Sequence, residues 1–358
     1  MIVSGSVLVV GAGLIGTSIA LAAREAGYDV SILDASAEQT AATSKLTGLA
    51  GFEEGFVPEL VVVAVPPAMI ADEVIRAIAM FPQSTVIDTG SIKTQVVAEV
   101  ESKLENSFQF IPTHPMAGKE SSGAGNASFD LFNDRIWVMC PSAINSAEQV
   151  DLVKDFIGNC GAIAVAMSPR DHDQTVAITS HTPQILSSLL AAQLLEVAPE
   201  HVRVSGQGLR DMTRIASSNP SLWTDILLAN ADFVQPIMAS LSKQLQAVAD
   251  DLEHNDGSAI NSALLRGNLG RALVPGKHGE RFKPYATVAI VIQDAPGQLA
   301  AIFAVAGAAN VNIEDVRIDH ALGRAVAVIE LDVDPSMQDS LREALIREGW
   351  TLRSPSVT

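Results

Sequence analysis

The chain has 358 residues, 48% of them hydrophobic and 18% charged, and its formal net charge is −18 at pH 7. This length predicts two or three domains, and the acidic balance argues against a protein that binds nucleic acid by neutralising phosphates. The two cysteines, Cys140 and Cys160, show no metal-ligand spacing and exclude a disulfide framework. This cysteine usage fits a reducing cytoplasm and predicts no bound metal. No apolar run is long enough to span a membrane once its prolines and glycines are considered.

Apolar strands alternate with helical segments over the first 143 residues. The stretch SVLVV at residues 6–10 predicts a buried strand, and a helical segment then extends to Ala26. Further strands are predicted in YDVSILD, ELVVVAVPP, STVIDTGS, FQFIPTHP and RIWVMC. Such alternation is typical of a parallel sheet with helices on both faces. We therefore predict an α/β domain over residues 1–143.

The rest of the chain predicts two further domains. From about residue 145 the pattern changes to long segments of helical periodicity, which indicate an all-α domain over residues 144–272. Its many small apolar residues suit a subunit interface. Residues 266–283 are rich in glycine and basic residues and predict a linker. Residues 284–358 read as strand, helix, two strands and helix, the order of a small α+β, ferredoxin-like unit.

The first predicted strand is followed directly by the pattern G-x-G-x-x-G, formed by Gly11, Gly13 and Gly16. The first glycine allows a tight turn, the second lets the backbone approach a pyrophosphate, and the third lets the helix pack closely on the strand. The helix N-terminus then faces the phosphates. The pattern predicts a Rossmann dinucleotide-binding domain, and glycines that serve only a tight strand–helix turn are the alternative.

The second predicted strand ends at Asp34, whose carboxylate suits an adenosine ribose and repels a 2′-phosphate. No arginine follows in DASAEQT, so we predict NAD rather than NADP as the cofactor. FAD-binding proteins share the glycine fingerprint and are a lesser alternative. We expect further cofactor contacts from Leu14 and Ile15, between the glycines, and from Val65 and Pro66, after the third predicted strand.

Polar residues follow two other predicted strands, at the crevice where doubly wound sheets bind ligands. Ser91 follows TVIDTG, and His114 follows FQFIP. Oxidation of an alcohol requires a group that takes the hydroxyl proton as hydride leaves, and histidine suits this task because its pKa lies near neutrality. We predict that His114 is this base and that Ser91 fixes its orientation. A packed histidine at a strand end is the alternative.

Two motifs of the helical domain carry groups that suit an anionic substrate. AITSHTPQI offers Ser180, His181 and Gln184, although its polar residues also fit a helix N-cap followed by a proline. GLRDMTRIASSNPSLW places Arg210 and Arg214 one helical turn apart on one face. Arginine is the usual partner of a carboxylate, so we predict substrate binding there. A solvated face paired with acids is the alternative.

Taken in order, these motifs resemble those of one enzyme family. VVGAGLIGTSIA, DTGSIK, THPMAGKESSG, SHTPQ and RDMTRIASSNPSLW occur in the order found in prephenate dehydrogenases with a C-terminal ACT regulatory domain, and the resemblance covers essentially the whole chain. It implies a homodimer that oxidises prephenate with NAD+, in tyrosine biosynthesis. Hydride leaves C4 of the ring, carbon dioxide is lost, and 4-hydroxyphenylpyruvate forms.

The resemblance also implies roles for particular residues. His114 accepts the proton of the C4 hydroxyl, while Ser91 positions His114 and the cofactor. Arg214 binds the ring carboxylate. Arg210 matches a position near the ring carboxylate that is commonly basic in the family. Ser180 and His181 line the substrate pocket.

One position departs from the family pattern. Many members have a second histidine where this chain has Gln184, and glutamine forms hydrogen bonds but carries no charge. In the family that histidine lies near the substrate side chain, so the side-chain preference stays open. L-arogenate, which has an aminopropionate side chain in place of the pyruvyl group, is the alternative substrate.

The tail motifs DAPGQLA and GAANVNIEDV resemble those of ACT domains, which pair edge to edge and bind amino acids at the interface. The resemblance implies feedback inhibition by tyrosine, and a unit that only dimerises is the alternative. We expect the effector beside two loops, at Asp294, Ala295, Pro296, Gly297, Asn310 and Asn312.

Two other classes of protein compete with this interpretation. Dehydrogenases of β-hydroxyacids or 3-hydroxyacyl groups also have a helical second domain, but they typically use a lysine or a His–Glu pair there. In this chain Lys243 is the only lysine between residues 155 and 276. A non-enzymatic sensor of NAD and amino acids is the other class, and the presence of His114, Ser91 and Arg214 together argues against it.

Overall fold

The computed structural model describes residues 5–104, 107–118, 123–274, 285–320 and 326–353. Within these ranges the chain forms two compact units, and the division between them falls between Lys243 and Gln244. The first unit contains a parallel sheet, a smaller sheet and a set of helices. The second contains further helices and an antiparallel sheet.

The core of the first unit is a sheet of parallel strands. They are β1 (Ser6–Val10), β2 (Asp29–Leu33), β3 (Ala50–Gly51), β4 (Leu60–Val63), β5 (Thr85–Asp88) and β6 (Phe110–Ile111). Their order is β3-β2-β1-β4-β5-β6, the doubly wound order of a Rossmann domain, which reverses between β1 and β4. The predicted strands lack β3, because a strand of two residues carries no hydrophobic period.

Helices accompany this sheet along the chain. They are α1 (Leu14–Glu25), α2 (Ala37–Thr47), α3 (Ile70–Met80) and α4 (Thr94–Lys103). Side chains alternate across β1, so that Val7 and Val9 enter one hydrophobic core and Leu8 enters another. Burial on both faces explains why these strands are continuous apolar runs.

A smaller sheet follows in the chain. Strand β7 (Thr113–Pro115) pairs antiparallel with β8 (Ile136–Met139), and β8 pairs parallel with β9 (Ile163–Ala166). The prediction that FQFIPTHP and RIWVMC lie in one parallel sheet is confirmed for Phe110–Ile111, which forms β6, and wrong for the rest. FQFIPTHP forms two strands instead of one, because Pro112 between them has no N–H to donate to a ladder.

Helix α5 (Ala147–Asn159) connects β8 to β9. Ser146 caps its N-terminus. Phe156 on α5 lies in the same hydrophobic core as β1. The α/β packing therefore continues past the predicted boundary at residue 143 as far as Ala166.

A run of helices forms the next part of the chain. They are α6 (Pro169–Val176), α7 (Thr182–Gln193), α8 (Pro199–Val202), α9 (Gln207–Thr213), α10 (Pro220–Ala229), α11 (Ala231–Glu253) and α12 (Gly257–Arg271). Because α12 extends to Arg271, the first residues of the predicted linker are helical, and residues 275–284 lie outside the described ranges. Within those ranges no helix combines the length and the apolar character that a membrane span needs.

An antiparallel sheet with two helices ends the described chain. Its elements are β10 (Ala286–Gln293), α13 (Gln298–Ala308), β11 (Asp315–His320), β12 (Val326–Val333), α14 (Gln338–Arg347) and β13 (Thr351–Leu352). The strand order is β11-β12-β10-β13, and the β-α-β-β-α-β sequence matches that of ferredoxin-like units. The prediction lacks the two-residue β13, and the predicted ALGR turn lies outside the described residues.

Candidate active site

Two cavities open at the carboxyl ends of the parallel strands. The first, the Asp34 cavity, measures about 590 Å³ and includes Gly11, Gly13, Asp34, Val65 and Pro66 in its lining. The second, the His114 cavity, measures about 690 Å³ and includes Leu14, Ile15, Ser91, His114, Ser180 and His181. Gly13, Val65 and Pro66 line both cavities. The cavities therefore meet beside the glycine turn, where an extended ligand can occupy both.

The glycine turn between β1 and α1 is closely packed at its ends and open in its middle. Gly11 has a φ of +109°, and a Cβ atom there would lie 2.2 Å from the carbonyl oxygen of Ala64. A Cβ atom on Gly16 would lie 2.0 Å from the carbonyl oxygen of Gly11, whereas one on Gly13 would meet no atom within 4 Å. Gly13 is thus where a phosphate can approach the backbone. No described side chain caps the N-terminus of α1, so its first N–H groups are available to an anion.

Asp34 lies at the end of β2, where the backbone fixes its carboxylate. It accepts hydrogen bonds from the backbone N–H groups of Ala12, at 2.9 Å, and Ser36, at 3.0 Å. A carboxylate has further lone pairs for ribose hydroxyls. One basic group of this cavity was not predicted from the sequence: Arg76 on α3, which forms an ion pair with Glu73 at 3.0 Å.

His114 on β7 is the first member of a hydrogen-bond chain that continues through two residues of α6. Its Nδ1 lies 2.9 Å from Nε2 of His172, and Nδ1 of His172 lies 2.7 Å from Oδ1 of Asp173. Both α6 residues are buried. Among the described residues no hydrogen-bond partner contacts Nε2 of His114, so this nitrogen is left for a ligand of the cavity. The predicted bond from Ser91 to His114 is not among the bonds of the described residues; Ser91 lines the same cavity.

The electrostatic surroundings keep His114 uncharged. Burial lowers the pKa of His114 well below its usual value, and unfavourable electrostatic interactions with His172, Lys93 and His181 lower it further. Burial also raises the pKa of Asp173, but hydrogen bonds from the His172 ring and from residues at the start of α4 outweigh this and lower it. Asp173 is therefore an anion and His114 a neutral base near pH 7.

His181 is a second histidine of the same cavity, and it is almost fully buried. It lies in a π-helical turn, Ala177–His181, between α6 and α7. Its Nδ1 lies 3.0 Å from Nδ2 of Asn230, which also donates to the carbonyl oxygen of Asp173 at 2.9 Å. Burial lowers the pKa of His181 to about 4, against an opposing effect of Asp173.

A fully buried ion pair lies beneath the site. Lys93, two residues after Ser91, pairs through Nζ with Asp88 at the end of β5, and both side chains are 0% exposed. The same Nζ donates to the carbonyl oxygen of Thr113 at 2.7 Å. The pair therefore joins the loop that carries Ser91 to the strand that carries His114.

The predicted substrate residues of the helical region fall into two groups. Ser180 and His181 line the His114 cavity. Gln184 is buried outside the described lining, and its Nε2 donates to the carbonyl oxygen of Ile215 at 3.0 Å. Arg210 and Arg214 are exposed and also lie outside that lining. Helix α9 ends at Thr213 and a 3-10 turn begins at Arg214, so the two arginines lie on consecutive elements, and their common face stays a prediction.

The loops predicted to bind an effector lie in the second unit, at opposite ends of one helix. Asp294, Ala295, Pro296 and Gly297 precede α13, whereas Asn310 and Asn312 follow it. Helix α13 has 11 residues and is therefore about 16 Å long. The two loops of one chain do not come together, and a site made from both requires a second copy of the unit.

Comparison with known proteins gives the same answer as the geometry. Residues 19–166 match the family described as prephenate dehydrogenase, nucleotide-binding domain, and residues 168–265 match prephenate dehydrogenase, dimerization domain. Together these matches cover the cavity-lining residues beyond the glycine turn and the helices as far as Leu265. The chain belongs to the prephenate dehydrogenase family.

Individual members of the family are distant relatives. The prephenate dehydrogenase of Bacillus subtilis is 28% identical over 87% of this chain and 88% of its own. The cyclohexadienyl dehydrogenase of Zymomonas mobilis is 29% identical over 73% of this chain and 92% of its own. The crystal structure of prephenate dehydrogenase from Aquifex aeolicus, in complex with hydroxyphenyl propionate and NAD+, is 26% identical, with a TM-score of 0.67 over 75% of this chain and 97% of its own. The enzyme is thus an NAD-dependent oxidoreductase.

The sequence analysis missed the residues that hold the site together. His172, Asp173, Asn230, Lys93 and Asp88 are all buried and contact either a histidine of the cavity or each other. The sequence offers one signal for the ion pair. DTGSIK places a lysine five residues after an aspartate at the end of a buried strand, and charged side chains are almost never fully buried without a partner. The dipeptide His172–Asp173 carries no comparable local signal.

Replacement of Gly13 by alanine is expected to weaken NAD binding by about tenfold or more without loss of stability. The methyl group meets no protein atom within 4 Å, and it enters the space that a pyrophosphate would occupy. Calorimetric titration with NAD+ and a thermal melt measure the two effects. Gly208→Ala, on the exposed helix α9 and equally uncrowded, is the matched control. Unchanged NAD affinity in Gly13→Ala would place the cofactor elsewhere.

Proposed function

We propose that this enzyme oxidises prephenate with NAD+ to 4-hydroxyphenylpyruvate, with loss of the ring carboxylate as carbon dioxide. The observation that carries the proposal is the arrangement around His114. A neutral imidazole is held at Nδ1 by His172, and its Nε2 is left for a ligand in a cavity that meets the Asp34 cavity at Gly13. This is the placement that a base requires if it takes a hydroxyl proton beside a dinucleotide.

The described residues fit the cofactor. Gly13 leaves space at the backbone, the uncapped N-terminus of α1 suits the pyrophosphate, and Asp34 suits the adenosine ribose. When bound, NAD+ supplies the chemistry of hydride acceptance. Asp34 also disfavours the 2′-phosphate of NADP+ by charge repulsion.

His114 acts on the C4 hydroxyl of prephenate. Its Nε2 takes the hydroxyl proton while the C4–H bond breaks, so that C4 becomes a carbonyl carbon. Loss of the C1 carboxylate as carbon dioxide then sends an electron pair through the ring to this oxygen, and His114 returns the proton to it. The proton is borrowed and no net proton is released, so the histidine ends the reaction in its neutral form. Ser91, in the same cavity, is the proposed partner of the same hydroxyl.

The choice between prephenate and L-arogenate depends on groups near the side chain. Gln184 is engaged with Ile215, and Ser218 donates to its Oε1 at 3.4 Å, so its contribution to an anionic side chain is weak. Arogenate is the second candidate, because the Zymomonas mobilis relative is named for the cyclohexadienyl ring that both compounds share. Arg214 and Arg210 stay proposed carboxylate ligands.

We expect a higher kcat/KM with prephenate than with L-arogenate, measured as NADH formation by the purified protein. A preference for arogenate would assign the second candidate function and make Gln184→His the first variant to test. Turnover of neither compound would contradict the proposed reaction while leaving the fold and the cofactor site intact.

We also propose a homodimer formed through the helical region. Several large apolar side chains of α11 and α12 are exposed in the single chain: Leu245, Leu252, Leu264, Leu265 and Leu269. Such a group of exposed leucines is typical of an interaction surface. Light scattering that gives the mass of two chains would support this proposal.

Residues 284–358 are proposed to form an ACT domain that binds tyrosine. The supporting observations are the ferredoxin-like order of the elements and the left-handed Gly297 at the start of α13. Saturating tyrosine is expected to lower activity and to raise the melting temperature. If tyrosine changes neither quantity, the regulatory role is wrong and the unit serves assembly alone.

A further inference from the structure

We propose that Asp173 sets opposite tautomers in the two histidines of the cavity, so that Nε2 of His114 accepts a hydrogen bond and Nε2 of His181 donates one. Two chains of hydrogen bonds leave this residue, one from its side chain and one from its backbone. Neither His172, Asp173 nor Asn230 lines the cavity, so all three are positioning residues rather than catalytic ones. The proposal rests on the proposed function only for the identity of the ligand.

The first chain begins at the carboxylate of Asp173. The N-terminus of α4 fixes this group, because Oδ1 accepts from the N–H of Lys93 at 2.9 Å and Oδ2 accepts from the N–H of Thr94 at 2.8 Å. A helix N-terminus also favours a negative charge electrostatically. The carboxylate can therefore only accept from His172, whose Nδ1 must carry a proton.

The position of the proton on His172 determines the tautomer of His114. With its proton on Nδ1, the neutral His172 ring has a lone pair on Nε2, which accepts from Nδ1 of His114 at 2.9 Å. The buried ammonium group of Lys93 lies in the same cluster, and the start of α4 already compensates the charge of Asp173. With its proton on Nδ1, His114 has its lone pair on Nε2, which is the atom that a base needs.

The second chain begins at the backbone carbonyl of Asp173. This oxygen accepts from Nδ2 of Asn230 at 2.9 Å, which fixes the orientation of the amide. The same Nδ2 lies 3.0 Å from Nδ1 of His181, so this ring nitrogen accepts and the proton lies on Nε2. His181 is thereby a neutral donor to an oxygen atom of the ligand.

The two histidines of the cavity therefore have different roles, because His114 accepts a hydrogen bond and His181 donates one. The described lining of the His114 cavity includes no lysine or arginine, so its histidines are its basic side chains. If the tautomer of either ring reversed, the cavity would present two donors or two acceptors. The arrangement gives one acceptor for the hydroxyl proton and one donor for a substrate oxygen, and neither needs a change of charge before the reaction.

Nitrogen-15 NMR of the NAD+-loaded protein, labelled at its histidines, tests the proposal directly. Protonated and unprotonated ring nitrogens have well separated chemical shifts, and His114→Asn and His181→Asn variants assign the signals. We expect His114 to be protonated at Nδ1 and His181 at Nε2. A protonated Nε2 on His114, or a doubly protonated His172, would overturn the proposal.

Variants extend the test to turnover. His172→Leu removes the acceptor and is expected to lower kcat by about 10- to 100-fold with little change in KM, whereas His172→Gln keeps an acceptor and a donor and restores most of kcat. Asn230→Asp, which is isosteric, is expected to move the His181 proton to Nδ1 and to raise KM. His201→Leu, an exposed histidine, is the control.

The outcomes separate this inference from the proposed function. If neither prephenate nor arogenate is oxidised, the function fails and the NMR signals still decide the tautomers. If the wild type is active and His172→Leu keeps both its kcat and the His114 tautomer, the inference is wrong and the function stands.

Discussion

His114→Asn is expected to lower kcat by about 10²- to 10⁴-fold while the affinity for NAD+ stays within about twofold of the wild type. The variant loses the nitrogen that takes the hydroxyl proton, and the Asp34 cavity and the glycine turn are untouched. Asparagine is smaller than histidine and uncharged, so it introduces no buried charge. NADH formation under saturating substrate gives kcat, and calorimetric titration gives the NAD+ affinity.

The same assay on His201→Asn controls for the loss of a histidine as such, because His201 is exposed on α8. Retention of kcat in His114→Asn would make His114 a packed histidine and would assign the base to another group of the cavity. The wild-type profile adds a second check. Because burial lowers the pKa of His114, the neutral form persists on the acid side of pH 6.5. Activity should therefore be retained at mildly acidic pH, where an ordinary histidine would already be protonated.

The parts of the site that the sequence predicted are those with a local signal. A glycine pattern directly after an apolar strand fixes the turn, because the spacing of the glycines and the chirality of the backbone permit few other structures. Asp34 and His114 were found in the same way, since each follows a predicted strand. The carboxyl ends of parallel strands meet at one edge of a sheet, so position along the chain was enough to place these residues near one another.

The parts that the sequence did not predict depend on contacts between distant segments. His114 and His172 are 58 positions apart, and Asn230 is 57 positions from Asp173, with no periodicity that links them. The end of α9 between Arg210 and Arg214 was not predicted either, because their spacing fits an uninterrupted helix. The two predicted effector loops flank one helix, so a site made from both depends on the predicted pairing with a second copy of the unit.

Lys93→Met is expected to destabilise the enzyme by about 3–5 kcal/mol, because it removes one partner of a fully buried ion pair. Methionine fills a similar volume, so the loss does not come from a cavity. The Asp88 carboxylate would keep hydrogen bonds from the N–H groups of Gly90, at 2.9 Å, and Thr113, at 3.0 Å, but it would lose its counter-charge. Denaturant unfolding followed by circular dichroism measures the change.

Two further variants decide whether buried charge is the cause. Lys103→Met breaks the ion pair between Lys103 and Asp72, whose side chains are 52% and 67% exposed, and it should leave the stability nearly unchanged. The double variant Lys93→Met/Asp88→Asn removes both buried charges and should recover part of the stability lost in Lys93→Met. If the double variant is as unstable as the sum of the single ones, the lysine acts through its bond to the Thr113 carbonyl rather than through charge. That bond also adjoins His114, so recovery of stability without recovery of kcat would show that Lys93 holds the catalytic strand in place as well as balancing Asp88.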